Sequence, residues 1–157
     1  MQTLTKVRMD KMRPLYPPDD IPRGVEIPKC QVNRPAPGTP PDIEAFFGKT
    51  GTWWGTWRSP QIKGNYDAVL VIREIYGREN HWEASVTYAS APYPKWYVEG
   101  GTWERAGVFE KKADGKTVLA VRHPAVGMME FWLESGRMQG KLSMRFMLCR
   151  ITLKPFG

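Results

Sequence analysis

Histidine and cysteine are nearly absent from this chain, with two of each among its 157 residues. Cys30 and Cys149 are too few and too far apart for a disulfide scaffold or a zinc site. Two unpaired thiols are the expectation, with a single bridge between the first and last parts of the chain as the alternative. No cluster of His, Cys and Asp has metal-ligand spacing, and no Ser-His-Asp order, Gly-x-Ser-x-Gly elbow or Cys-His pair is present, so neither a metal nor a cofactor is expected. Long apolar runs are missing too. The longest, residues 68–72, ends at Arg73, far short of the roughly 18 residues a membrane helix needs. The first fifteen residues carry Lys6, Arg8, Lys11 and Arg13 but no apolar stretch of about 7 to 15 residues, so no export signal is read there and a cytoplasmic location is expected. Blocks of like charge are also lacking. The net charge of +7 divides into +3 over residues 1–40 and +4 over the rest. The densest basic pair, Lys111-Lys112, adjoins the turn signal Asp114-Gly115. Charge this dispersed does not make nucleic acid an expected partner.

Proline is plentiful but confined: nine of fourteen lie in residues 1–41. At that density backbone donors are lost and both helix and sheet are blocked, so residues 1–41 read as an extended arm. Leu15, Tyr16, Ile21, Val25, Ile27 and Val32 give it apolar anchors that a purely solvating linker would not need, so it is expected to lie along the folded domain or a partner. Residues 41–48 read as one or two helical turns, with Pro41 and acids at the start, Phe46 and Phe47 as a buried edge and Gly48 as the stop. Such a turn could plug one end of a barrel.

From Gly51 onward the apolar period becomes two. The clearest stretch is 82–88, where Trp82, Ala84, Val86 and Tyr88 alternate with Glu83, Ser85 and Thr87. Further strands are predicted over 67–75, 102–111, 116–122, 126–133, 137–144 and 146–153. Turn signals stand at 77–80, 113–115 and 134–136, and Leu148 and Ile151 break simple alternation, which predicts a bulge near Cys149. About eight short strands, with connections too short for crossover helices, define an all-β fold. The expected architecture is an antiparallel up-and-down β-barrel over 42–157, with a β-sandwich as the alternative.

The run Gly51-Thr52-Trp53-Trp54-Gly55-Thr56-Trp57 opens the folded part, and three Trp within five positions build a hydrophobic floor or wall. Alternation places Trp57 on the side of Trp53 and turns Trp54 outward. This Gly-x-Trp-x-Gly opening (Gly51, Trp53, Gly55), the strands 69–75 and 84–89 and the closing Arg150-Ile151-Thr152-Leu153 resemble a little-characterised bacterial calycin-like barrel domain, related in architecture to the lipocalins. The resemblance covers about residues 42–155. It implies that Trp53 forms the barrel floor beneath Arg150, and a cation over a Trp face is worth up to about 2 kcal/mol when desolvated. The chain departs from secreted lipocalins in lacking their signal peptide and disulfide pattern, and its last hairpin turn looks tighter than the bacterial family's. No particular ligand is implied.

An eight-stranded barrel either fills with side chains or holds one small molecule. The inward set predicted for a ligand is Trp82, Val86, Tyr88, Trp103 and Phe131, with Trp96 and Tyr97 from the aromatic, Pro-interrupted loop 89–97 acting either as a lid or as outer-wall packing. Phe131 and Trp132 must face opposite ways. For catalysis the candidates are His123 at a strand end, Tyr88 and Glu130. The last could be an inward carboxylate or an exposed one on an apolar outer wall, while His81 at a turn reads as exposed. The expected function is non-catalytic binding, of a small hydrophobic or aromatic ligand in the barrel or of a partner protein through the arm and outer aromatics. The alternative is a cyclase or isomerase-type enzyme using the same cavity, as some calycin-type barrels do.

Overall fold

The computed structural model describes residues 25–60, 64–91, 101–122, 127–143 and 148–157, leaving aside the side chain of Arg78. The expectations for residues 1–24, for Trp96 and Tyr97 in the aromatic loop, for His123 and for the last hairpin turn lie outside these residues. A four-residue helix α1 (Pro41–Glu44) runs into a 3-10 turn (Ala45–Phe47). Eight strands follow: β1 (Thr52–Arg58), β2 (Tyr66–Arg78), β3 (His81–Ser90), β4 (Gly101–Lys111), β5 (Thr117–Arg122), β6 (Met128–Glu134), β7 (Arg137–Ser143) and β8 (Leu148–Pro155). Each pairs antiparallel with the next, and β8 returns to β1, closing an up-and-down barrel. Closure removes the sheet edges that a sandwich would leave.

Turn chemistry sets the hairpins. Glu79 and Asn80 both have positive φ, as do Ser135 and Gly136, so β2–β3 and β6–β7 are joined by two-residue turns of the kind whose twist matches that of the flanking strands. β2 therefore runs through to Arg78, three residues beyond the expected end.

The Gly-x-Trp-x-Gly spacing has a steric cause. Gly51 has φ +87°, and a Cβ there would stand 2.8 Å from the Ile72 carbonyl oxygen; at Gly55 it would stand 1.9 Å from that of Thr152. Only glycine lets β1 approach its two neighbours this closely. The bulge falls in β2 rather than near Cys149: pairing slips between Ile72 and Glu74, while β8 keeps regular register from Leu148 opposite Ser143 to Leu153 opposite Met138. On β8 the inward residues are Cys149, Ile151 and Leu153, so Leu148 is simply on the outer face.

Two apolar clusters form, one on each side of the wall. Inside lie Trp53, Trp57, Leu70, Ile72, Val86, Tyr88, Leu119, Met129, Phe131, Ile151 and their neighbours. Outside, Trp54, Val69, Val71 and Ala89 are covered by Val25, Ile27, Cys30 and Val32 of the arm. The extra residue of the bulge helps to fix the arm, because the Arg73 carbonyl accepts the Asn33 N–H at 2.8 Å. Cys30 belongs to the outer cluster and Cys149 to the inner one, and both thiols are free. The barrel wall separates them, so the bridge alternative falls.

Candidate functional site

The barrel has one plugged end. There α1 and the 3-10 turn press Ile43, Phe46 and Phe47 into the inner cluster, and the Phe46 and Phe109 rings meet edge to face at 5.1 Å. Trp53 Nε1–H donates to the Phe46 carbonyl at 2.9 Å. Asp42 accepts hydrogen bonds from Thr117 Oγ1 and Lys111 Nζ, which hold its carboxyl below the ordinary range. The floor is thus built from Trp53 and the helical plug.

The expected Trp53–Arg150 contact is not made. Register places Trp53 opposite Pro155, whereas Arg150 stands opposite Arg58 on β1 and Lys141 on β7, exposed on the outer face and toward the other end of the barrel. Side chains five positions apart on a strand point to opposite faces, which is why the two cannot meet. The cation over a tryptophan of the opening run is Lys154 instead, whose Nζ lies 4.7 Å from the Trp54 ring on the outer wall. Trp54 faces outward and Trp57 inward, as alternation requires.

Opposite the plug, where β1, β3, β5 and β7 end, the inner face carries four aromatics among the described residues. Trp57 and Tyr66 pack with centroids 5.0 Å apart, and Trp57 Nε1–H donates to the Ala91 carbonyl at 3.1 Å. Tyr88 and Trp103, directly opposite each other on β3 and β4, stack at 6.4 Å with planes 24° apart. Tyr88 is fully buried; desolvation, with a smaller contribution from the Cys149 thiol, pushes its phenol well above the ordinary tyrosine range, partly offset by a hydrogen bond with Ser90. Burial likewise pushes the Cys149 thiol up to about 11. Both groups are neutral at physiological pH.

β4 begins at this end of the barrel. Its pairing with β5 begins only at Gly107 opposite Val121, so among the described residues its first six positions, 101–106, pair on one edge alone, with β3. Trp103 and Arg105 are consequently half-buried, while the residues across from them, Tyr88 and Val86, are buried. Arg105 shares the inward face with Trp103, Gly107 and Phe109. Its Nη1 donates to the Glu104 carbonyl at 2.8 Å, and among the described residues no carboxylate pairs with it.

The other candidate residues disperse. Trp82 is on the inner side but at the plugged end, covering Gly77 of the β2–β3 hairpin. Six residues along β3 put it roughly 20 Å from Tyr88. Val86 and Phe131 are wholly buried in the middle section, Phe131 lying over Gly140. Glu130 is on the outer wall, because its neighbours Met129 and Phe131 face in. There it accepts from Lys112 Nζ at 3.2 Å, and that bond, first among the causes, raises the lysine's pKa. The inward-carboxylate alternative falls, and Glu130 cannot share a cavity with Tyr88. Trp132, also outward, has Lys116 Nζ 5.2 Å from its ring. His81 is exposed and meets Glu83 at 2.7 Å. Sequence reasoning passed over Trp57, Tyr66 and Arg105 at the aromatic end, and the alternation Trp103, Arg105, Gly107, Phe109 was the available signal for the arginine.

Among the described residues, no group of three or more His, Cys, Asp or Glu side chains is placed to hold a metal, and no helix is long and apolar enough to cross a membrane. The fold and this site define a closed, eight-stranded antiparallel β-barrel with one plugged end and one aromatic end. No family model, curated protein or solved structure matches the chain.

Proposed function

We propose that the barrel is a non-catalytic binding domain that seats a small apolar or aromatic molecule at its open end, against Trp103 and Tyr88. The observation that carries this reading is the half-buried Trp103 ring, turned inward, stacked on a buried Tyr88 and set in a strand segment that, among the described residues, pairs on one edge. An aromatic held by stacking on a barrel's inner face, with part of its surface still wet, gains by covering that surface. Below this layer Leu70, Val86, Leu119, Val121 and Phe131 are at 0% exposure, so the interior is filled there and the ligand is small and shallowly held.

Two observations favour this over a protein partner recruited by the arm. Residues 25–32 of the arm already lie on the barrel's own outer wall, and the outer tryptophans Trp54 and Trp132 each carry a lysine over the ring. Of the residues named for the cyclase-type alternative, Glu130 is on the outer wall and so counts against it. Kinship with bacterial calycin-like barrels belongs to the same proposal, supported by the Gly51, Trp53, Gly55 opening and the up-and-down strand order.

The test is titration with the neutral fluorophore N-phenyl-1-naphthylamine. Its emission should rise on binding, and Trp103→Ala should weaken binding about tenfold, the loss expected when a stacked aromatic is removed. At about 100 times its dissociation constant the probe should add roughly 2.7 kcal/mol to unfolding stability. No emission change, or equal affinity in Trp103→Ala, would sink the reading.

A further inference from the structure

Resting on that reading, we infer that the molecule taken at the open end is an amphipathic anion, a small carboxylate or similar acid whose charged group is met by Arg105. Alternation along the eight strands puts two cations on the inner face among the described residues, Lys111 and Arg105, and no carboxylate. Lys111 stands at the plugged rim and is bonded to Asp42 at 3.1 Å. Arg105 stands toward the aromatic end, where among the described residues one backbone carbonyl, that of Glu104, accepts from it.

A guanidinium has five N–H donors in a planar fork, and one carbonyl oxygen leaves most of them for water or a ligand. Half-exposed at its position on β4 and with no carboxylate beside it among the described residues, this guanidinium is placed to pair with an arriving anion. The outer acids do not serve: Glu130 is bonded to Lys112, Glu110 to the same lysine and Glu83 to His81, each on the far side of the wall. An anion entering from the open end would meet Arg105 one layer, or about 7 Å of strand, below the Tyr88–Trp103 pair. The chemistry required is therefore an acidic head within a few bond lengths of an apolar or aromatic body. A carboxylate can take two of the guanidinium's parallel N–H groups, and such bidentate pairs are among the stronger polar contacts. The two inner groups nearest in character to an acid, the Tyr88 phenol and the Cys149 thiol, are neutral and do not repel it.

The experiment compares 1-naphthylacetate with its uncharged twin, 1-naphthylacetamide, by calorimetry on the full chain. Wild type should bind the acid about tenfold or more tightly than the amide, the gain expected of a charge-assisted pair. Arg105→Gln should reduce that ratio to within about twofold while leaving amide affinity unchanged, and Arg105→Lys should restore part of it. Equal binding of acid and amide by wild type overturns the inference about Arg105 and leaves the aromatic seat standing. Binding of neither overturns both. An acid preference that survives in Arg105→Gln overturns the assignment to this residue, and the amide serves in each variant as the control that the seat is intact.

Discussion

At the residue scale, the two cysteines show how position within one wall separates two chemically identical groups. Cys30 is half-buried within the arm, against the outer wall, while Cys149 faces the packed interior at 3% exposure. A thiol-reactive disulfide dye at pH 8 should therefore label Cys30 readily and Cys149 only after unfolding; equal rates for both would contradict the placement. The raised pKa of Cys149 has a stability consequence of definite sign. Its folded value is about 11 against an ordinary 9.0, so in the unfolded chain the thiol ionises first. The stabilisation is whole below pH 9 and is lost as pH rises from there toward 11. Urea unfolding of wild type and Cys149→Ala at pH 8, 9.5 and 11 should show the steeper alkaline decline in wild type, and parallel declines would remove Cys149 from the cause. Tyr88, whose phenol is also pushed up, acts in the same direction.

Arg105 and Glu130 illustrate what single residues reveal in a sequence. Both sit in alternating strands, and in both cases the face is decided by neighbours: Trp103 and Phe109 put Arg105 inside, Met129 and Phe131 put Glu130 outside. The sequence had shown that Phe131 and Trp132 must diverge. It put Phe131 in the inward set but left Glu130 either inward or outward, because both faces of that strand carry large apolar groups, Trp132 and Met128 on one and Phe131 and Met129 on the other.

At the element scale, strand register is what overturned the most specific expectation. Arg150 was expected to cap Trp53; it stands instead in an outward row, Arg58 on β1, Arg150 on β8 and Lys141 on β7, each directly opposite the next. Like charges facing one another across strands repel. Arg150→Thr should therefore leave stability unchanged or raise it by about 0.5 kcal/mol at low salt, with the gain shrinking as salt is added. A loss above about 1 kcal/mol on thermal or urea unfolding would mean that Arg150 makes a stabilising contact of the cation–π kind after all.

The strands themselves were legible, because period-two alternation and Gly or Asn-bearing turns are local signals. So was the helical turn at 41–47, whose proline start, paired phenylalanines and glycine stop lie within eight residues. The bulge was misplaced. Broken apolar alternation at Leu148 suggested it, yet the structural bulge at Arg73 follows from a backbone need, the Arg73 carbonyl pairing with the arm at Asn33, which no side-chain pattern announces.

At the scale of the whole molecule, the barrel is a wall with apolar clusters on both sides, and the arm completes the outer one. Val25 is 4% exposed and Val69 and Val71 are almost fully covered. Removing residues 1–40 should therefore uncover the outer faces of β1, β2 and β3, lower unfolding stability by about 3 kcal/mol or more, and promote association through the exposed apolar patch. Equal stability and unchanged behaviour on gel filtration in the truncated chain would show that the arm contributes nothing to the barrel.

The sequence by itself determined the fold class, the strand count, the inward and outward assignment of Trp53, Trp54 and Trp57, and the irregular course of residues 25–40. These rest on local periodicity, turn chemistry and the exclusion of sheet and helix by proline, all of which act within a few residues. Only the tertiary structure decided that the helical turn plugs the Trp53 end, that residues 25–32 lie on the outer wall, that Arg150 and Glu130 face away from the interior, and that Trp103 and Arg105 are half-buried toward the aromatic end. Those outcomes depend on the register between distant strands. A shift of one residue in pairing turns every side chain to the opposite face, and that choice is made by the packing of the closed barrel as a whole.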